Sequence, residues 1–169
     1  MKTIKYLCAL LILTATTHQF ARAADLKSSF NAALKSYLDI KNALAADNSK
    51  AANDAAKQFT VALKDVPADQ MDAKQKAAWQ KYAEKLRYDG DHISESGEIA
   101  HQREHFGSLS ANLYAVLRVF KDNDTVLYQQ YCPMVKKSWI SESATIKNPY
   151  YGKEMLECGV TKETLKAVK

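Results

Sequence analysis

Apolar side chains recur every three or four residues along most of this chain, and they separate into four stretches. From residue 25 to about 46, Phe30, Leu34, Tyr37, Leu38 and Leu44 fall on one helical face. Asp47-Asn48-Ser49 then reads as a turn that also offers a cap to the next helix. Residues 49 to about 66 place Ala52, Ala55, Ala56, Phe59, Ala62, Leu63 and Val66 on a thin, alanine-rich face suited to close approach by a neighbour. Val66-Pro67-Ala68-Asp69 ends that segment, because proline cannot continue a helix. A third amphipathic segment begins near Asp72 and carries Trp79, Tyr82, Leu86, Ile93 and Ile99. Gly90 and Gly97 weaken it, which leaves open one long irregular helix or two pieces. The fourth starts at about Ser108, read as an N-cap, and runs through Leu109, Leu113, Val116, Leu117 and Phe120 to a polar stop at Lys121-Asp122-Asn123-Asp124.

Beyond Thr125 the helical period is lost. Val126 to Tyr131 is β-branched and aromatic, consistent with a short strand or an extended segment, and residues 162–169 read as a frayed helical tail. The expected fold is all-α: an antiparallel four-helix bundle over residues 24–124 with an irregular, Cys/Met-containing cap over 125–169. A length of 169 residues suits one such domain.

The first 23 residues stand apart from this pattern. Lys2 and Lys5 precede an apolar run from Tyr6 to Ala15, and Ala21-Arg22-Ala23 is a small-x-small cleavage sequence. The run is shorter than the roughly 20 residues a membrane span needs, and nothing apolar precedes Cys8 to suggest lipid attachment. The expectation is a cleaved signal, a periplasmic protein, and no membrane span in the mature chain. Cleavage changes two counts. Taking the segment's three cations from the chain's 24 leaves 21 against 19 acids, which gives no support for nucleic-acid binding. Three cysteines become two, Cys132 and Cys158, which in an oxidising compartment read first as a disulfide.

Sulfur and imidazole are gathered in two places. His101 and His105 are four apart, so one helix face presents both rings, with Glu98 one turn earlier. Gln102 follows His101 where a zinc peptidase would carry its general-base glutamate, so that chemistry is not expected. The pair fits either a metal site or a solvated polar face. Cys132 and Met134 flank a proline, and Met155 and Cys158 lie one helical turn apart. Thiolates and thioethers select copper(I) over magnesium, calcium or manganese, whereas the competing structure is a Cys132–Cys158 staple with methionines as core filler. Asp89 and Asp91 beside His92 suit a hard-metal site or a polar turn. No phosphate loop, nucleophile elbow or assembled nucleophile and base is present, so an enzyme is not expected.

The residues His92-Ile93, Gln102-Arg103, His105-Phe106, Leu109-Ser110, Cys132-Pro133-Met134, Trp139-Ile140-Ser141, Asn148-Pro149-Tyr150-Tyr151-Gly152, Met155-Leu156 and Cys158-Gly159, in that order, resemble a bacterial periplasmic domain family of unknown function. That family occurs as small exported proteins and as C-terminal extensions of copper/silver efflux adaptor subunits. The likeness is dense from His92 to Gly159 and weaker from Asp25 to Arg87. Val135-Lys136-Lys137-Ser138 is shorter and poorer in glycine than the family's loop there. The resemblance implies a helical periplasmic domain that handles heavy metal, copper first, with His92, His105, Cys132, Met134, Met155 and Cys158 as ligands. His101 joins them on helical spacing. Two functions are therefore expected in alternative: a copper(I)-binding or trafficking protein, or a non-enzymatic, disulfide-stapled module that docks on an efflux adaptor or another envelope partner.

Overall fold

The structure, a computed structural model, describes residues 25–168. The expected signal segment, with Cys8 and the cleavage sequence, lies outside the described residues. Four helices come first: α1 (Leu26–Ala45), α2 (Ser49–Lys64), α3 (Ala73–Glu95) and α4 (Ile99–Phe120). Successive helices pack against one another, and the face of α1 that carries Phe30, Leu34, Tyr37 and Leu44 is buried, as its spacing requires. Asn48 accepts from the Ala51 N–H at 3.0 Å and caps α2. Asp72 and Gln75 form a reciprocal capping box at the start of α3.

The boundary between the third and fourth helices differs from the sequence reading. Gly97 lies in the break, but Gly90 lies within α3 and does not interrupt it. A Cβ at position 90 would sit 2.7 Å from Thr60 Cγ2 and 3.1 Å from Phe59 Cδ1, so glycine there lets α2 and α3 approach closely. Ser108 is not an N-cap. Helix α4 begins nine residues earlier, at Ile99, and buries Gln102, Phe106 and Leu109 along one side. The polar first turns of α4 hid that start from a reading based on apolar period.

The chain after α4 is a second correction. The cap is not irregular throughout, and the fold is not purely helical. Strands β1 (Leu127–Cys132), β2 (Lys137–Ser141) and β3 (Val160–Leu165) form an antiparallel sheet in the order β2-β1-β3. Its register sets Gln130 opposite Trp139 and Cys132 opposite Lys137. The expected frayed helical tail is strand β3, because pairing with β1 overrides the weak helical preference of Lys162-Glu163-Thr164-Leu165. The sheet packs on α4 and touches α1. The buried Tyr37 hydroxyl accepts the Ile140 N–H at 3.0 Å and meets Ser110 Oγ at 2.8 Å. Lys41 of α1, 1% exposed, is paired with Glu142 just past β2 at 2.8 Å. The Tyr114 hydroxyl donates to Glu163 of β3, and Arg118 pairs with the same carboxylate at 2.7 Å. Leu127, Trp139, Ile140 and Tyr150 join the helical residues in one continuous core. Among the described residues, no helix is long and apolar enough to cross a membrane.

Candidate metal centre

The α3–α4 turn is held by side chains from outside it. A helix ends with carbonyls that have no partner in the helix. At the end of α3 the Asn53 amide, from α2, donates to the carbonyls of Ile93, Ser94 and Ser96 at 2.7–3.0 Å. The buried Gln102 amide donates to Ser96 at 2.8 Å, Ser49 at 3.1 Å and Ile93 at 3.3 Å. Gln102, the residue that spoils the zinc-peptidase motif, is thus a structural cap turned inward. Its neighbour Arg103 donates to the carbonyls of Pro149 (2.8 Å) and Leu44 (3.0 Å) and pairs with Asp47. These contacts fix the start of α4 against α1, α2, the end of α3 and the 148–152 loop.

That frame brings three imidazoles together. His92 lies in the last turn of α3, and His101 and His105 lie on the first turns of α4. One nitrogen from each falls within 4.8 Å of one from both others, and all three residues are half-buried. The His92 and His105 rings stack at 4.4 Å, and His101 meets His105 edgewise at 4.6 Å. Tyr88, one turn before His92, lies over its ring at 4.3 Å.

Asp89 lies behind this cluster. Its side chain is buried, and Oδ1 is 3.0 Å from His105 Nδ1. A carboxylate only accepts, so the proton sits on Nδ1, and His105 Nε2 keeps its lone pair for a ligand. Ser108 donates to the same Asp89 oxygen at 2.7 Å, which is the task of the hydroxyl first read as a cap. Asp89 therefore orients an imidazole and is not part of an Asp89/Asp91 site, while Asp91 pairs with Arg87 at 2.8 Å. Glu98 stands at the N-cap position of α4, where its side chain makes no capping bond, and lines an open depression beside His92 and His101, together with Glu95. Among the described residues, no carboxylate or thiol joins the three histidines closely enough to make a fourth member of the cluster.

The four sulfur residues expected as ligands lie elsewhere. Cys132 ends β1, fully buried, and Cys158 precedes β3, half-buried. Their sulfurs are 3.6 Å apart, and both cysteines are free. Met134 is exposed on the β1–β2 turn, and Met155 is half-buried on the turn before Cys158. The fold thus joins the three histidines and, separately, the two cysteines. Asp89 was singled out beside His92 and Asp91, but its role behind His105 was not legible, nor was Asn53, since contacts across 16 residues or between helices leave no mark in local spacing.

Residues 33–125 match the model of a family described as "Protein of unknown function (DUF3347)". The matched stretch contains the three histidines and Asp89 and ends before β1, so the sulfur-bearing cap lies beyond it. No curated protein and no solved structure matches the chain.

Proposed function

Since the chain belongs to the DUF3347 family, whose function is unknown, we propose from its site that it is an exported metal-binding protein. It holds a first-row d-block cation, copper first, on His92, His101 and His105. The observation that supports this most is the set of three nitrogens within 4.8 Å of one another, with a buried carboxylate behind one ring. Imidazole suits copper, zinc and nickel, and a ring held by a carboxylate is the arrangement such ligands commonly have. Three half-buried ligands leave a coordination position open. That suits a protein that buffers metal or passes it to an efflux or other envelope partner by ligand exchange. Metal takes neutral imidazole, so uptake releases protons and weakens as pH falls.

The test is titration of the apo protein with copper(II), zinc(II) and, under reductant, copper(I), each against a chromogenic competitor. The expected result is one tight equivalent at the histidines for at least one of these ions. His101→Ala/His105→Ala should lose it. Asp89→Asn, which keeps the shape but removes the charge, should weaken it about tenfold or more. Unchanged uptake by the folded double variant would overturn the reading.

A further inference from the structure

We propose that Cys132 and Cys158 form a second metal site, separate from the histidines, for a soft monovalent cation of the copper(I)/silver(I) class. The proposal starts from placement. The fold brings two sulfurs 26 residues apart in sequence to 3.6 Å, as free thiols. Two thiolates on one metal at about 2.3 Å are about 3.8 Å apart at a tetrahedral angle and about 4.6 Å apart on a linear two-coordinate ion, so metal uptake moves the sulfurs apart by no more than about 1 Å. A disulfide requires the sulfurs to close to about 2.05 Å. Access is from one side only, since Cys132 is sealed in the core and Cys158 is half-exposed.

The surroundings favour sulfur carrying negative charge. Burial alone raises the Cys132 thiol. The Val135 N–H, the Asn148 amide, the Met134 N–H and the Cys158 thiol all point at its sulfur and together bring it below its ordinary value. Cys158 is raised, first by its hydrogen bond to Cys132 and then by burial. Backbone and amide N–H groups directed at sulfur are the outer-shell pattern that tunes metal-bound thiolates.

Asn148 holds both halves. It is fully buried, and its amide donates to the Cys158 carbonyl at 2.7 Å as well as toward Cys132. Its N–H donates to Leu156 at 2.7 Å, and its Oδ1 accepts from the Tyr150 N–H at 2.8 Å. One side chain thus fixes the loop that carries Cys158 against the end of the strand that carries Cys132.

The choice of ion follows from what does not reach the pair. Among the described residues, no histidine or carboxylate completes a group of three with the two cysteines. Structural zinc takes four nitrogen or sulfur ligands, which this pair lacks. Two soft anions with low coordination suit a monovalent soft ion, and Met134 and Met155 sit on the flanking turns as available thioethers.

Silver(I), which does not oxidise thiols by cycling, serves as the probe. The reduced chain, Cys132→Ser/Cys158→Ser and His101→Ala/His105→Ala are each titrated against a competing chelator, with ultraviolet absorbance recorded and folding checked by circular dichroism. The chain and the histidine variant should both show thiolate-to-metal absorbance that saturates at one equivalent. The serine variant should lose that band, with affinity at the site falling at least about 100-fold. Retention of the site by the histidine variant separates this proposal from the imidazole site, which can fail independently. If the serine variant does not fold, carbamidomethylation of the half-exposed Cys158 alone in the folded chain should abolish the band. An unchanged titration after loss or blocking of the cysteines overturns the proposal. So does a reduced chain with two titratable thiols and no silver-thiolate band.

Discussion

Most of the polar residues that matter in this molecule satisfy a particular partner, and Lys41 shows how strictly. Its ammonium is 1% exposed, with Glu142 at 2.8 Å and Ser141 Oγ at 3.5 Å. Glu142 also accepts from Asn42 at 2.9 Å. Burial raises the Glu142 carboxyl, but the Lys41 and Asn42 hydrogen bonds outweigh it and hold it below the usual carboxylate range. A carboxyl lowered in the folded state adds stability at pH above its unfolded value, about 4.3, and loses that contribution as pH falls through the folded one. Glu142→Gln leaves Lys41 buried without its counter-charge. Breaking a fully buried pair costs about 3–5 kcal/mol, but Glu142 is 39% exposed, so about 1–2 kcal/mol is expected. Thermal melts from pH 7 down to pH 2 should show the gap between wild type and variant narrowing below about pH 4. A gap that widens on acidification would refute this account of the pair.

Elements came out of the sequence unevenly, and the reason is the kind of signal each carries. Helices α1 and α2 were legible because their buried residues recur at helical spacing and Val66-Pro67 ends the second sharply. The same method placed the α4 start nine residues late, because Ile99 to His105 is mostly polar, with Gln102 and Arg103 turned to backbone carbonyls rather than to an apolar face. Strand β3 was misread as helix, since its short, mostly exposed sequence shows no burial alternation and is fixed only by pairing with β1. The histidine pair on α4 was visible from spacing, whereas the approach of His92 across the turn was not. That approach depends on the turn, which makes it testable. Asn53→Ala removes the amide that serves three carbonyls at the end of α3, at a cost of about 1–3 kcal/mol. Amide exchange should quicken at residues 93–99, where protection reports local opening. Metal affinity at the histidines should fall although no ligand has changed. Faster exchange with unaltered affinity would show that His92 does not contribute to binding.

At the scale of the whole molecule the question is whether the helical layer and the sheet fold as one unit. The family match ends at residue 125, between them, yet the contacts cross that line repeatedly. Tyr37 and Ser110 of the helices close on Ile140, Lys41 reaches Glu142, Arg103 holds Pro149, and Tyr114 and Arg118 hold Glu163. The apolar core is continuous from Phe30 to Tyr150, so removing the sheet would expose core faces of α1 and α4 and strand Lys41. One cooperative transition follows for a domain of this size. The chain's two tryptophans make this measurable, because each lies in a different layer. Trp79 of α3 packs by Phe120 with ring centroids 6.0 Å apart, and Trp139 of β2 packs by Tyr150 at the same separation. Single-tryptophan variants, Trp79→Phe and Trp139→Phe, should each give a fluorescence melt that coincides with the helical circular dichroism of the same protein. Saturating the histidine site with metal should move both probes up together, by about 2.7 kcal/mol at a free concentration 100 times the dissociation constant. A sheet signal that melts first, or that stays put while metal stabilises the helices, would mean two units joined at residue 125. The shared core argues against that outcome.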